Sequence, residues 1–181
     1  MRKEETTRPP AVLACDPSLT EFGWVVCRGL HIVDSGCIKT KTKDKKLRIR
    51  KGDDRMRRIS EINRTLLSVI QKHKVQYIVS ELPHGSQSAA AAIALGMVSG
   101  AVQGMADFLE LGIEWYSEGD SKMALLGKRS AEKKETIDAV LLLYKWKLPA
   151  HKYQQQAIAD ALSIHYAATQ MSPVIKYMSS R

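Results

Sequence analysis

Cysteine is scarce in this sequence, and the few cysteines are placed like core residues rather than like the cysteines of a disulfide framework. The 181 residues include three, Cys15, Cys27 and Cys37, all in apolar, strand-like stretches. Their odd number and their spacing argue against a set of disulfides and against a zinc site, so we expect reduced thiols of the kind found in cytosolic proteins. The polar stretch 1–10 also lacks the apolar segment of a signal peptide.

Long hydrophobic runs are lacking as well. We expect no apolar run to reach the roughly 18 residues that a membrane-spanning helix needs, and therefore no membrane association. With 44% hydrophobic residues and no visible internal repeat, the chain is predicted to form a single domain over residues 1–181. Its two ends, 1–10 and 172–181, are predicted to be flexible tails.

Positive charge, in contrast, is abundant. The chain has 28 lysine and arginine residues against 19 aspartate and glutamate residues, which gives a formal net charge of +9. This balance favours a polyanionic partner, nucleic acid before an anionic membrane surface. The segment 39–58 is especially basic. It is either a solvated, mobile loop or a segment that orders on contact with phosphates.

The first candidate functional residue is Asp16, which ends an apolar stretch. Residues 11–15 are small or β-prone and apolar, a pattern typical of a strand buried on both faces. Pro17 cannot donate a hydrogen bond to a neighbouring strand, so the strand is predicted to stop at Asp16. Asp16 either opens an Asp-Pro turn or, as a carboxylate at the mouth of a central strand, binds a metal ion.

A second acid, Glu81, ends another predicted strand in the same way. Segments 22–27 and 31–38 are predicted to continue the first strand as an antiparallel meander. An amphipathic helix that ends near Lys74 then leads to a strand over 75–81, and a helical crossover makes this strand parallel to its partner. Asp16 and Glu81 are therefore predicted to lie side by side, where a divalent cation would remove the cost of burying two carboxylates.

The last third of the chain is predicted to be mostly helical. Asp160 interrupts the apolar face of a helix over 154–169, where burial without a partner would neutralise it. After a strand over 112–116 and a helix over 117–126, the basic segment 127–134 opens a further helix, with Ser130 as its predicted N-cap. Several cations at a helix N-terminus are unfavourable to the helix dipole, and DNA phosphates would compensate them.

A stripe of glycines marks the long helix predicted over 86–109. Gly96, Gly100 and Gly104 recur every four residues and leave one face of this helix almost without side chains. Because glycine costs about 1 kcal/mol per helical position relative to alanine, such a stripe indicates close approach of another backbone. The stripe either packs on the helix's own sheet or forms a two-fold dimer interface.

Several segments of the chain share their order and spacing with one known family. Segment 14–23 is similar to that family's acid-Pro-Gly-Ser segment and the Thr-Gly pair that follows, with Ser18 in place of the glycine. Segments 35–40, 92–96, 122–133 and 159–163 match in the same order. Together they closely resemble the RuvC-type Holliday junction resolvases of the ribonuclease H-like nucleases. The resemblance implies an α/β fold with a mixed five-stranded sheet, an antiparallel three-strand meander plus parallel strands, flanked by helices.

The resemblance also implies a homodimer that binds branched DNA, a four-way junction, and nicks two opposing strands symmetrically. Asp16, Glu81 and Asp160 match the metal-binding acids, and Lys133 matches the active-site lysine. Two Mg²⁺ ions per active site, which Mn²⁺ can replace, are implied for phosphodiester hydrolysis, with no small-molecule cofactor. Contacts with DNA are expected from Lys122, Lys128, Arg129, Lys134, His84, Ser86 and Gln87. An exposed loop histidine without contact to DNA is an equally good interpretation of His84.

One position departs from the family's pattern. Ala157, three residues before Asp160, stands where the family usually carries an acid or a histidine, and alanine binds no metal. Gln156 could reach the site with a neutral amide oxygen, which is a weaker magnesium ligand than a carboxylate. The site is therefore either naturally weaker or altered by a substitution that stops cleavage.

Three functions stay open on the sequence. The first is a Mg²⁺-dependent crossover junction endonuclease in the cytoplasm of a bacterium or of a phage-infected bacterial cell. The second is a junction-binding protein that is catalytically impaired, an alternative that rests on Ala157. The third is another ribonuclease H-like nuclease that acts on flaps or RNA–DNA hybrids, which a monomeric state would favour.

Overall fold

The centre of the molecule is a five-stranded mixed sheet. The computed structural model describes residues 8–43, 48–82, 85, 88–147 and 149–180. An antiparallel meander is followed by two strands parallel to its first, and the strands are β1 (Ala11–Asp16), β2 (Glu21–Arg28), β3 (His31–Lys39), β4 (Tyr77–Glu81) and β5 (Gly112–Tyr116). Their order across the sheet is β3-β2-β1-β4-β5. This arrangement confirms the predicted mixed sheet.

Helices cover both faces of the sheet. One layer consists of α1 (Lys51–His73) and α2 (Ala89–Phe108), which share a hydrophobic core with one face of β1. The helices of the opposite layer are α3 (Glu118–Leu126), α4 (Lys133–Tyr144), α5 (Lys152–Met171) and α6 (Pro173–Ser179). The α/β architecture expected from the sequence is therefore present, with β1 buried between the two layers.

The alternation of side chains along β1 decides which layer Asp16 faces. Leu13 and Cys15 belong to the core on the α1 and α2 side, whereas Val12 and Ala14 belong to the core on the α5 side. Because successive side chains of a strand point to opposite faces, Asp16 follows Val12 and Ala14 toward α5. All three cysteines of the chain are free thiols.

Helix α4 begins two residues later than the predicted cap requires. Its N-cap is Glu132, not Ser130, so that prediction was wrong. The backbone N–H of Glu132 donates to the Glu135 carboxylate at 2.8 Å, and this local hydrogen bond satisfies the start of the helix in place of a serine hydroxyl.

The C-terminal segment is not the flexible tail that we predicted. Residues Pro173–Ser179 form α6, because the Ser172 hydroxyl accepts a hydrogen bond from the N–H of Ile175 at 3.1 Å and Pro173 suits the first helical turn. Ile175 is 3% exposed and packs against the core that contains Val12 and Ala14. Ile175 and the partly buried Met178 thus dock this segment onto the core.

Helix α2 corrects the expectation about long hydrophobic runs. It spans 20 residues with a mean hydropathy of 1.5 in its most apolar window, so among the residues that the structure describes one helix is long and apolar enough to cross a membrane. The expectation that no run reaches this length was wrong, because the alanine, aliphatic and methionine side chains outweigh the interspersed glycine, serine and glutamine residues. Length and composition alone are weak support for a membrane span, since core helices pass the same test.

Candidate active site

The parallel strands of the sheet end at one edge, and two of the predicted site acids lie there. In the register of β1 and β4, Cys15 pairs with Ser80, so the next residues, Asp16 and Glu81, end neighbouring strands. Glu81 is paired in turn with Tyr116, the last residue of β5. Side chains that follow these three strands therefore converge on one side of the molecule.

A glycine allows α5 to reach the same edge. Gly23 is the β2 partner of Asp16, and a Cβ atom built on it would lie 2.1 Å from the carbonyl oxygen of Ala157. Any side chain at position 23 would force α5 away from the sheet. Asp160 follows Ala157 by about one helical turn, so this close contact sets how near Asp160 comes to Asp16.

The carboxylates at this edge repel one another. Burial raises the pKa of Asp16 well above its ordinary value, and the charges of Asp160 and Glu81 raise it further. The ammonium of Lys133 lowers the pKa of Asp16 without cancelling these effects. Acids gathered in a buried place stay ionised only where a cation offsets their charge, which makes this edge suited to a cation.

Asp160 is contacted by a neighbour on its own helix. Burial raises the pKa of Asp160, while a hydrogen bond from Gln156 and the charge of Lys133 act in the opposite direction. The amide nitrogen of Gln156 donates to both carboxylate oxygens, at 2.8 Å each. Gln156 therefore presents N–H groups to the acid, and its amide oxygen would meet a cation there only after the amide rotates.

The acids do not form a closed set of ligands as they stand. Within the described part of the chain, no three histidine, cysteine, aspartate or glutamate side chains are close enough together to hold a metal ion. Repulsion between carboxylates favours such a separated arrangement, so side-chain rotation would be needed to bring three of them onto one cation.

Both lysines that match functional positions lie near these acids. Lys133 is the first residue of α4 and is exposed, and its charge acts on Asp16 and on Asp160. Lys122 of α3 lowers the pKa of Asp160 and forms an ion pair with Glu118 at 2.5 Å. Cations and acids therefore alternate across this side of the molecule.

The remaining predicted cations of this region surround the start of α4. Lys128 pairs with Glu135 at 2.5 Å, and Lys134 is exposed. Hydrogen bonds from Ser117 and, to a smaller degree, the charge of Arg129 lower the pKa of Asp120. An open cavity of about 660 Å³ lies here, lined by Lys122, Lys128, Ser130, Ala131, Glu132 and Glu135.

The basic segment 39–58 divides into residues that serve the fold and residues that stay exposed. Arg58 is 8% exposed and donates to the Thr40 hydroxyl at 2.7 Å and to the Leu19 carbonyl at 3.0 Å, so its guanidinium ties the loop after β1 to α1. Arg50 and Lys51, in contrast, are exposed, and residues 44–47 lie outside the described part of the chain. Only part of this segment is therefore available to phosphates.

The glycine stripe of α2 faces outward. A Cβ atom built on Gly96, Gly100 or Gly104 would meet nothing within 4 Å, so the interpretation that the stripe packs on its own sheet was wrong. The opposite side of α2 carries the buried residues Val98 and Val102. The stripe is left as an open, nearly side-chain-free surface.

Three predicted DNA contacts cannot be placed. His84, Ser86 and Gln87 lie outside the described residues. The predicted segment that contains them follows Glu81 directly and precedes Ser88, whose hydroxyl accepts a hydrogen bond from Ala91 at the start of α2.

One acid at this edge was missed by sequence reasoning. Glu118 is the first residue of α3, and its charge raises the pKa of both Asp16 and Asp160. The available signal was its position, two residues after the end of a strand that is parallel to the one ending in Glu81.

Comparison with known proteins identifies the family. The sequence matches the family model for crossover junction endodeoxyribonuclease RuvC over residues 12–168, which is most of the chain. The chain belongs to the RuvC family. The crossover junction endodeoxyribonuclease RuvC of Salmonella choleraesuis (strain SC-B67) is 30% identical over 172 residues, which cover 93% of this chain and 91% of that protein. The corresponding protein of Shewanella frigidimarina is 29% identical over 157 residues, 84% of this chain and 83% of that protein.

Solved structures of RuvC and of a further resolvase share the fold. T. thermophilus RuvC in complex with a Holliday junction substrate superposes with a TM-score of 0.71 at 21% identity, covering 90% of this chain and 96% of that one. The yeast mitochondrial Holliday junction resolvase Ydc2 gives a TM-score of 0.63 at 13% identity, covering 97% and 85%. At these identities the likeness establishes the ribonuclease H-like fold.

The side chains of this RuvC-family site suit a hard divalent cation. Carboxylates of Asp16, Glu81 and Asp160 are the oxygen donors that Mg²⁺ and Mn²⁺ prefer. The thiol of Cys15, a softer donor, belongs to the core on the opposite face of the sheet. The donor set therefore fits the metal dependence of this nuclease family.

Proposed function

We propose that this protein is a Mg²⁺-dependent endonuclease that resolves four-way DNA junctions by nicking two strands symmetrically. The observation that carries the proposal is the group of acids at the carboxyl edge of the sheet. Burial and neighbouring acids raise the pKa values of Asp16 and Asp160 there. Family membership supports DNA as the substrate.

In this proposal Asp16, Glu81 and Asp160 hold the metal. Asp16 ends the central strand, and the charges of both Asp160 and Glu81 act on it, so it would be the shared ligand. Two divalent cations, Mg²⁺ or Mn²⁺, would activate a water molecule and offset the charge that develops on the leaving 3′ oxygen. Because little solvent screens these buried acids, their electrostatic interaction with the metal ions at the reacting phosphate would be strong.

Cationic side chains on the same side position the DNA in this proposal. Lys133 approaches the acids and would offset negative charge on the scissile phosphate. Lys122, Lys128, Arg129 and Lys134 would bind backbone phosphates on either side of the cut. Such contacts recognise the path of the backbone rather than its sequence. The segment with His84, Ser86 and Gln87 would contact the centre of the junction.

The outward glycine stripe would form the dimer interface. Two copies of α2 can approach closely at Gly96, Gly100 and Gly104, and Ile93 and Phe108, which are 53% and 87% exposed, would be covered in the same contact. A two-fold dimer would present two active sites to opposing strands. A Gly100→Leu variant should sediment as a monomer, whereas an unchanged dimer would remove the stripe from the interface.

A second candidate function, junction binding without cleavage, is favoured by one observation. Ala157 is 5% exposed and packs against Gly23, so this turn of α5 provides no charged ligand before Asp160. A site with fewer acids binds Mg²⁺ more weakly.

The relatives of the chain include bacterial proteins. In either function we expect the protein to act in the cytoplasm of a bacterium or of a phage-infected bacterial cell.

A strand-by-strand cleavage assay separates the two functions. A synthetic four-way junction, labelled on each strand in turn, would be incubated with the protein in Mg²⁺, in Mn²⁺ and in chelator. A resolvase gives paired nicks at symmetric positions with either metal and none in chelator. Tight junction binding with no nicks under any condition would support the second function. Cleavage of flaps or RNA–DNA hybrids in preference to junctions would replace both with a different nuclease activity.

A further inference from the structure

Glu118 follows β5 at the edge of the sheet that carries the proposed metal site. Strand β5 runs parallel to β4 and ends at Tyr116, directly beside Glu81. Ser117 then caps α3 by accepting a hydrogen bond from the N–H of Asp120 at 3.1 Å, which makes Glu118 the first helical residue. The carboxylate of Glu118 therefore starts from the same edge of the sheet as Asp16 and Glu81.

The electrostatic influence of Glu118 is directed at the site. Its negative charge raises the pKa of Asp16 and also that of Asp160, two acids that belong to different elements. Helix α3 packs on α5, the helix that carries Asp160, so the fold brings the start of α3 toward these acids. Its side chain is 45% exposed, so it has room to move toward a cation.

An ordinary helix-surface ion pair is the rival interpretation, and the chain contains a pair for comparison. Lys122 lies 2.5 Å from Glu118, and Lys128 lies 2.5 Å from Glu135. The charge of Glu118 raises the pKa of both Asp16 and Asp160, whereas Glu135 pairs with Lys128 at the cavity beside the start of α4. The two pairs are alike in length and partner type and differ in their relation to the site acids.

The turn of α5 before Asp160 leaves a ligand position without charge. Ala157 carries no donor and packs against Gly23, and Gln156 meets Asp160 through its amide nitrogen. From these observations the structure assigns Glu118 as a fourth carboxylate ligand of the metal site, supplied by the start of α3 in place of an acid at position 157. This inference rests on the proposed metal-dependent function and extends it to a further residue.

Metal binding itself tests the assignment. Free Mn²⁺ would be measured by electron paramagnetic resonance during titration of the wild type, Glu118→Gln and the matched control Glu135→Gln. We expect Glu118→Gln to raise the Mn²⁺ dissociation constant by about tenfold or more, the size of loss that follows removal of a metal-supporting group. Glu135→Gln should stay within about twofold of the wild type, because the pair that Glu135 forms with Lys128 is exposed to solvent.

Salt and a lysine variant separate ligation from simpler effects. At about 0.5 M KCl, where screening leaves only contacts of a few ångströms, the loss in Glu118→Gln should persist if Glu118 is a ligand. Lys122→Met removes the partner of Glu118, and it should leave Mn²⁺ affinity unchanged or tighter. A loss in Glu118→Gln that disappears at high salt, or a Lys122→Met variant that loses Mn²⁺ as strongly, would overturn the assignment.

The outcome is separable from that of the proposed function. A wild type that binds no Mn²⁺ at all would contradict the proposed function and with it this inference. A wild type that binds Mn²⁺ and nicks junctions, together with a Glu118→Gln variant of unchanged Mn²⁺ affinity, would overturn the inference alone. A cooperative thermal unfolding transition without metal shows that each variant is folded, and the Mn²⁺-induced rise of its midpoint is a second measure of binding.

Discussion

The acids of this sheet fall into two groups whose pKa values shift in opposite directions. At the carboxyl edge, burial and neighbouring acids raise the pKa of Asp16. On the outer strand β3, burial alone would raise the pKa of Asp34, but hydrogen bonds from Lys72 and His73, both at 2.8 Å, lower it. The fold thus provides Asp34 with hydrogen-bond partners from α1, one of them the ammonium of Lys72, whereas it places Asp16 among other acids.

This difference distinguishes acids that hold the fold together from acids that await a ligand. Asp54 behaves like Asp34, since its hydrogen bond from Arg57 lowers its pKa. A carboxylate that is buried among like charges costs stability unless a cation joins it, so such a group is retained for what it binds. We read the carboxyl edge as a cation site on this ground as well as on family membership.

The largest expected effect is on cleavage by Asp16→Asn. The substitution keeps the shape of the side chain and removes its charge, so the nicking rate of a four-way junction should fall on the order of 1,000-fold, the scale of losing a main charge-stabilising group. Junction affinity in chelator should stay within a few-fold of the wild type. Asp34→Asn is the matched control, and it should nick at nearly the wild-type rate. Equal losses in both variants would show that Asp16 acts through folding.

A smaller loss is expected for Lys133→Met, which removes the ammonium whose charge acts on Asp16 and Asp160. The nicking rate should fall by about 100-fold, with junction affinity reduced only slightly. Lys72→Met, which removes a cation from the Asp34 group instead, serves as the control in the same cleavage and binding assays. A Lys133→Met variant that loses junction affinity and cleavage in proportion would make Lys133 a binding residue only.

His165 sharpens the comparison because burial alone shifts its pKa. The side chain is fully enclosed, its Nδ1 lies 2.7 Å from the Tyr144 hydroxyl, and burial lowers its pKa to about 4. The unfolded chain takes up this proton near pH 6.5 and the folded chain only near pH 4. The free energy of unfolding should therefore decrease as the pH is lowered from about 6.5 to about 4. The decrease is at most about 1.4 kcal/mol per pH unit. Urea unfolding at several pH values should show that the free energy of unfolding depends less on pH in His165→Gln than in the wild type. An equal pH dependence in the two proteins would contradict the account.

Much of this arrangement was predictable because the signals are local. The apolar run that ends in Asp16 and the strand that ends in Glu81 each combine a buried strand with a stop at a proline or loop. The crossover helix between them implies that they are neighbours. Asp160 was conspicuous because an acid seldom occupies the apolar face of a helix.

The features that sequence reasoning missed depend on contacts distant in the chain. Glu118 begins a short helix without an apolar stripe, and its relation to Asp160 follows from the register of β5 and the packing of α3 on α5. Helix α6 depends on one buried residue, Ile175, and on the Ser172 cap. The outward direction of the glycine stripe required knowing which side of α2 holds Val98 and Val102.

Thermal unfolding of three proteins, the wild type, Asp16→Asn and Asp34→Asn, tests the central comparison most directly. In chelator at neutral pH, Asp16→Asn should unfold about 3 °C higher than the wild type, the shift that roughly 1 kcal/mol produces in a protein of this size. Asp34→Asn should unfold about 1–2 °C lower, a small loss because the Lys72 side chain of its ion pair is 65% exposed. Mg²⁺ should then stabilise the wild type and Asp34→Asn but not Asp16→Asn. A less stable Asp16→Asn in chelator, or an equal gain from Mg²⁺ in all three, would contradict the assignment of the carboxyl edge as a cation site.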